Sequence, residues 1–274
     1  MELVMPRFIT VFTALLSAAP SMLLAQAGPV ASERSAWTEW LASAPTSPYL
    51  AVAQQPIGPG VTVGPDSADV PLDGVELHRV TASGTVSLTG PAGRRALPRG
   101  RAVSLGRYML VAGGPPGRAV VTVFDTAHAR GAPAWYDIDP AVVFIGRLHA
   151  PEAPATTRLL APDGVEVEAS LAGTVAVPAG DSTVRLTVMR IPDPGSGEAT
   201  LEIYFRDATN GQGSYPAGRF VELVPQADGH YRLDFNRARN PFCAYSSAYA
   251  CPVPWRGNAL PVALEVGERY VPIT

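Results

Sequence analysis

The chain has 274 residues, 47% hydrophobic and 16% charged, with a formal net charge of −3. That is enough apolar material for a sizeable core, and the acidic balance excludes a protein held on DNA or RNA by phosphate attraction. All 21 basic residues are Arg and none is Lys, which excludes a G-x-x-x-x-G-K-[ST] phosphate loop, a Schiff-base or pyridoxal lysine, an S-x-x-K acyl enzyme and a kinase strand lysine.

The N-terminus reads as a secretory signal over residues 1–27. Arg7 precedes the apolar run FITVFTALLSAAPSMLL, and Ala25-Gln26-Ala27 forms an A-x-A cleavage site before Gly28. The alternative is an anchor that stays attached; Pro20 inside the run favours cleavage. No later segment approaches ~18 apolar residues, so no stable membrane insertion is expected after cleavage. A secreted, periplasmic or cell-envelope protein follows.

Residues 28–56 read as a helix and a linker. In ERSAWTEWLAS (33–43), Trp37, Trp40 and Leu41 recur at three- and four-residue spacing and make one apolar face. About three turns do not stand alone, so this helix should dock on the body. A proline-punctuated connection follows.

Residues 57–128 carry short strands between Gly, Pro, Asp and Ser: VELHRV, TVSLTG, AVSLG, YMLVAG and AVVTVF. That spacing suggests a small β-sandwich. Gly131 and Pro133 mark a second boundary. From 134 to 274 a β-rich domain continues with AVVFIGRL, VEVEASL, TVRLTVM, a PDPGSG turn, LEIYF, an Asn210-Gly211 hairpin signal, GRFVELV, an Asp228-Gly229 turn, YRLDF and VALEV as a final strand. The expected fold is all-β: two packed sandwich- or barrel-like units with a short N-terminal helix.

There is no H-E-x-x-H, G-x-S-x-G, C-x-x-C or helix-opening G-x-G-x-x-G. The four His (78, 128, 149, 230) are scattered, so neither a metal nor a cofactor is expected. His78 and His230 read as structural and exposed, respectively. In an oxidising compartment Cys243 and Cys251 read as a disulfide, with a metal thiolate pair or a reactive thiol as alternatives. Polar residues concentrate in RDATNGQGSYPAGRF and LDFNRARNPFCAYSSAYACPVPWRGN. Arg206, Asp207, Thr209, Tyr215, Arg219, Asp234, Asn236 and Asn240 are the candidate ligand-binding set. Asp207 and Asp234 are the candidate catalytic bases, and the arginines offer planar forks to an anion. Alternation in LDF places Asp234 on the face away from the core if Leu233 faces in. The same residue types also serve simply to pin loops.

These stretches resemble the bacterial domain-of-unknown-function 1684 family. The resemblance rests on F-x-D-x-T-x-G, T-Y-x-x-G-R-[FY], D-F-N-x-A-x-N-P-x-C-A-[YF], C-P-[LV]-P, N-x-L and a final G-E. It carries over Asp207, Thr209, Gly211, Tyr215, Gly218, Arg219, Asp234, Phe235, Asn236, Asn240, Pro241, Cys243, Cys251, Pro252, Asn258 and Glu268. Ser214 stands where Thr is common, and Trp255 where a second Pro is usual. Motif identity covers about residues 203–270. The resemblance implies no function, but it marks the polar cluster and the cysteine pair as the family signature. More weakly, VTVGPDSADVPLDGVELHRV resembles the opening of a forkhead-associated sandwich. Pro65 stands where that family's phosphate-reading Arg would be and Val75 where its Ser would be; only His78 matches. The resemblance therefore implies loss of phosphothreonine reading by that route.

Three functions remain. The first is an exported protein binding a small anionic or polyhydroxylated ligand through the polar cluster. The second is a hydrolase with an Asp base and Arg219 as anion stabiliser. The third is a structural or partner-binding envelope module in which the cluster only locks loops. Oligomeric state is not legible.

Overall fold

The computed structural model describes residues 19–192 and 198–272, with side chains from residue 28 onward. Most of the expected signal segment, 1–18, and all but the first residue of the expected PDPGSG turn (192–197) lie outside the described residues. Among the described residues the fold is all-β, with several mostly antiparallel sheets and one α-helix near the N-terminus. No helix among the described residues is long and apolar enough to cross a membrane.

The helix runs from Ala19 to Ser43 with Pro29 inside it, further upstream than the Trp-striped segment 33–43. The upstream half has no three- and four-residue apolar period, so periodicity alone does not reveal it. Val30 and Leu41 are buried against the body. The Arg130 guanidinium closes the last turn, donating to Leu41 O at 3.2 Å and Ala44 O at 2.8 Å. Those carbonyls have no intrahelical donor, and a cation suits the negative end of the helix dipole.

Two sheets face each other across the first core. One has four strands in the order Ala51–Pro56, Val120–Asp125, Tyr108–Gly113, Ala102–Leu105; the other has five, in the order Val70–Pro71, Val61–Gly64, His78–Ser83, Thr85–Gly90, Gly93–Ala96. Val63, Val80, Leu88, Leu110, Val121 and Val123 fill the space between. The segment AVAQQP, read as linker from its prolines, is a strand paired with Val120–Asp125. His78 places Nδ1 2.7 Å from Glu76 O.

The second unit is a seven-stranded sheet in the order Val143–Gly146, Tyr231–Asp234, Arg219–Pro225, Ala199–Phe205, Ser182–Pro192, Glu166–Ala179, Thr156–Leu160. The expected strands VEVEASL and TVRLTVM extend into a long hairpin that turns at Gly180, whose φ of 62° suits a residue without Cβ. The sheet curls toward closure. His149, beyond the first edge strand, bridges Thr174 of the long hairpin with reciprocal N–H···O bonds of 2.9 Å. Closure needs Gly173: its φ is 143°, and a Cβ there would collide with the His149 carbonyl. The barrel interior holds Val175, Leu186, Val188, Ile203, Phe205, Val221, Leu223, Leu233 and Phe235.

The expected last strand, VALEV, is not a strand; pairing occurs just beyond it, between Glu268–Arg269 and Ala134–Trp135. The cause is side-chain competition. Leu264 N donates to Asp207 Oδ1 at 3.3 Å, and the carbonyls of Leu264 and Val266 accept from Arg219. With backbone groups satisfied by a buried ion pair, the segment needs no ladder.

Candidate functional site

The polar signature folds into a buried network. Arg219 is 0% exposed; its Nη2 donates to Asp207 Oδ2 at 2.7 Å and Leu264 O at 2.9 Å, and its Nη1 to Val266 O. Asp207 Oδ1 accepts from Thr209 N at 2.8 Å and Thr209 Oγ1 at 2.5 Å. Thr209 Oγ1 also lies 2.7 Å from Ser214 Oγ. Asn210 Oδ1 accepts from Asp207 N at 2.6 Å. Asn210-Gly211 therefore belongs to a pinned loop between neighbouring strands, not a two-residue hairpin turn.

Asp234 is 2% exposed, not on an outward face. Still in extended geometry as the last residue of its strand, it caps the short 3₁₀ turn Phe235–Arg237, accepting from Asn236 N at 3.1 Å, Asn236 Nδ2 at 3.0 Å and Arg232 Nη2 at 2.8 Å. Alternation still sets Asp234 opposite Leu233, but Arg232 and Arg237 cover that face, and the LDF pattern does not tell a covered face from a solvated one. Asn236 Oδ1 accepts from Asp139 N at 2.8 Å. Asn240 N donates to Glu268 Oε2 at 3.0 Å, and Tyr245 OH donates to both Glu268 oxygens at 2.6 and 2.8 Å. Asn258 Nδ2 donates to Thr187 O and Tyr204 O. Of the candidate set, Arg206 is exposed and outside this network, and Tyr215 is half-buried.

Cys243 and Cys251 form a disulfide with Cα atoms 5.5 Å apart, and the Tyr215 hydroxyl lies against both sulfurs at 3.3 and 3.2 Å. Burial, with the Tyr270 phenol beside it, raises the Tyr215 pKa above its ordinary value. The bridge closes a short loop, so its removal should cost about 2–3 kcal/mol. Chemical denaturation of the Cys243→Ser, Cys251→Ser double variant checks this; an unchanged midpoint would remove the bridge from the stabilising features.

The network anchors a segment, 237–242, that faces a cleft. Arg239 pairs its backbone with Phe220 through reciprocal 2.8 Å bonds, and Asn236 and Asn240 hold the segment at both ends. Across from it stands the N-terminal helix. Arg237 Nη1 reaches Glu33 Oε1 at 2.7 Å, and Arg34 Nη1 donates to Tyr136 O at 2.7 Å and Nη2 to Asn236 O at 3.0 Å. The Arg34 guanidinium lies 5.0 Å over Trp135 and the Arg239 guanidinium 4.6 Å over Trp37. Trp37 stacks on Trp40 at 4.9 Å. Between helix and barrel the cleft encloses ≈ 500 Å³ lined by Trp37, Trp40, Trp135, Arg34, Arg237 and Arg239, with Glu33 and Glu222. A deeper compartment of ≈ 270 Å³ shares Glu33, Trp37, Glu222, Arg237 and Arg239 and adds Glu202, Phe220, Asn240 and Phe242.

Of the candidate set, only Asn240 lines this cleft. The others lie beneath or beside it. Sequence reasoning missed Glu33, Arg34, Trp135, Glu202 and Glu222. Trp37 and Trp40 were legible only as a packing stripe. The alternation in LEIYF puts Glu202 opposite the core side chains, and that signal alone does not distinguish a solvated face from a covered one. Burial, with Glu222 adding its charge, raises Glu202 to about 7, while Thr200 and Arg239 pull the other way. Among the described residues, no group of three or more His, Cys, Asp or Glu is placed to hold a metal.

A family model described as "Protein of unknown function (DUF1684)" matches residues 132–269, a span that includes the whole signature network. A solution structure of an uncharacterized protein from Haloarcula marismortui is similar at 34% identity, covering 51% of this chain and 76% of that one, with a TM-score of 0.43. No curated protein matches the chain.

Proposed function

The chain belongs to the DUF1684 family of proteins of unknown function, and we propose that it is an exported protein that binds a small polyhydroxylated ligand in the cleft between its N-terminal helix and its barrel. The observation that carries this is the lining. Three Trp side chains put apolar indole surface into the lining, with Trp37 stacked on Trp40 and charged side chains beside and over them, Arg239 over Trp37 and Arg34 over Trp135. A sugar ring has that complementarity: C–H faces pack on indoles while hydroxyls bond to carboxylates and guanidiniums. The same lining argues against an anion. Glu33 and Glu222, with Glu202 when ionised, offset most of the charge of Arg34, Arg237 and Arg239, which leaves little cationic excess to select one.

On this reading the family signature is the scaffold of the site. Asp207–Arg219 and Tyr245–Glu268 hold the segment that presents Arg237 and Arg239. Export is supported by Arg7, the apolar run, the Ala25-Gln26-Ala27 triplet and the disulfide, which persists in oxidising compartments.

The test is tryptophan fluorescence of the full chain titrated with soluble neutral cello-, malto- and chito-oligosaccharides, alongside the corresponding uronates. A saturable change with a neutral oligosaccharide is expected. It should weaken at least about tenfold in Trp37→Ala, a loss of about 1.4 kcal/mol. No response to any neutral oligosaccharide, or a response only to uronates, would sink the proposal.

A further inference from the structure

Two carboxylates lie side by side in the deeper compartment of the cleft. Glu202 of the strand Ala199–Phe205 and Glu222 of the strand Arg219–Pro225 are direct cross-strand partners. The next pair on the same face, Tyr204 and Phe220, stacks with ring centroids 4.1 Å apart and planes within 9°. That stack holds the two strands in register beneath the carboxylates. Like charges placed directly opposite each other destabilise a sheet, and Thr200 and Arg239 offset this in part at Glu202. The two environments also differ. Glu202 is half-buried and Glu222 is exposed at the rim.

A second observation points to an occupant. Asn240, 4% exposed, lines the same compartment, and its Oδ1 has no hydrogen-bond partner. A buried amide oxygen left without a donor is costly, and a hydroxylated ligand in the cleft would supply one.

We propose that the Glu202–Glu222 pair makes the cleft a hydrolase of glycosidic bonds, with Glu202 as the acid and Glu222 as the nucleophile. The proposal rests on the polyhydroxylated-ligand reading above. Directly opposed strand residues hold their Cβ atoms about 4.5–5.5 Å apart, so Glu side chains rooted there can bring their carboxyls to the close separation that a two-step mechanism needs. In the first step a Glu222 carboxylate oxygen bonds to the anomeric carbon. The bond from that carbon to the glycosidic oxygen breaks, and the Glu202 carboxyl gives its proton to the departing oxygen, which leaves as an alcohol. In the second step water attacks the anomeric carbon and the ester bond to Glu222 breaks. Glu202 takes the proton that water loses. One water is consumed, both carboxyls return to their starting states, and no oxidant or cofactor enters. Burial and the facing Glu222 keep a share of Glu202 protonated near neutral pH; Arg239 and Thr200 oppose this, and Glu33 and Arg237 complete the charged lining.

The experiment uses the full chain, Glu202→Gln and Glu222→Gln, with the neutral oligosaccharides above and 2,4-dinitrophenyl glycosides of the same sugars. Fluorescence reports binding, and released reducing ends and dinitrophenolate report cleavage. The wild type should cleave a probe it binds. Glu202→Gln should lose at least about 100-fold on oligosaccharide and far less on the dinitrophenyl glycoside, whose leaving group needs no proton. Glu222→Gln should lose comparably on both. Both variants should melt near the wild type, since one position is exposed and both swaps are isosteric, and cleavage is compared at saturating probe so that a change in affinity is separated from a loss of turnover. Binding without cleavage by the wild type, or undiminished cleavage by either variant, would overturn the hydrolase while leaving the ligand reading intact. Absence of binding would overturn both.

Discussion

Arg219→Ala should be among the most destabilising single substitutions in this protein. The guanidinium is 0% exposed, and its partner Asp207 is buried beside it. Removing one member of a buried pair leaves the other as an uncompensated charge, which typically costs about 3–5 kcal/mol. Here the loss extends further. The Leu264 and Val266 carbonyls would lose their donors as well, and each buried acceptor without a partner adds about 1–3 kcal/mol. The stretch 263–266 would then have no ladder of its own to fall back on. Urea denaturation should therefore show a loss of at least about 3 kcal/mol, or no folded protein. Arg219→Lys is the informative companion. A single ammonium cannot replace the fork that serves a carboxylate and backbone carbonyls together, so it should recover only part of the loss. Full stability in Arg219→Ala would show that the network is not what holds the C-terminal segment.

A second large effect is on the pH dependence of stability. Glu268 is 1% exposed, and burial raises its carboxyl from 4.5 to about 7. Tyr245 and Asn240 pull in the opposite direction by donating to it, as do Arg239 and Arg219 through their charges. Tyr49 also faces it, and its phenol is pushed up to about 12 by burial and by Glu268. A raised carboxyl means that the folded state binds the proton more tightly than the unfolded state. Between pH 4.5 and about 7 the folded chain carries the extra proton, so stability falls as pH rises through that window and levels off above it. The upper bound is about 3–4 kcal/mol, from ~1.4 kcal/mol for each unit between 4.5 and about 7. Glu268→Gln should flatten this slope, at the cost of a pH-independent loss for the amide's less apt bonding. Unfolding free energies at pH 5 and pH 8 decide it. Equal pH slopes in wild type and variant would mean that Glu268 is ionised throughout. Glu202, also raised to about 7, adds a slope of the same sign in both proteins and so cancels from the comparison.

Particular residues show where sequence reasoning works and where it stops. Val165, Val167, Ala169 and Leu171 alternate with polar residues and form a half-buried strand, because the side-chain period of a strand is two wherever it lies. Asp228-Gly229 makes the expected turn, with Asp228 at φ 63° and Gly229 at φ 68°. VALEV has strand composition and is not a strand, because Asp207 and Arg219, distant in the chain, occupy its backbone groups. The candidate cluster is brought together, but as a buried frame. Arg and Asp in loops have the same composition whether they meet a ligand or each other, and only burial separates the two.

The sequence by itself determined the β character of the fold, the Asp228-Gly229 turn and the family signature, since each follows from local period, local backbone freedom or motif spacing. The tertiary structure alone decided what the signature encloses. Glu202 and Glu222 are twenty residues apart in the chain and become neighbours through strand register. Trp37, Trp135 and Arg239 become one wall only when the N-terminal helix docks against the barrel. Register and docking depend on contacts between distant segments, and the order of residues along a chain does not state them.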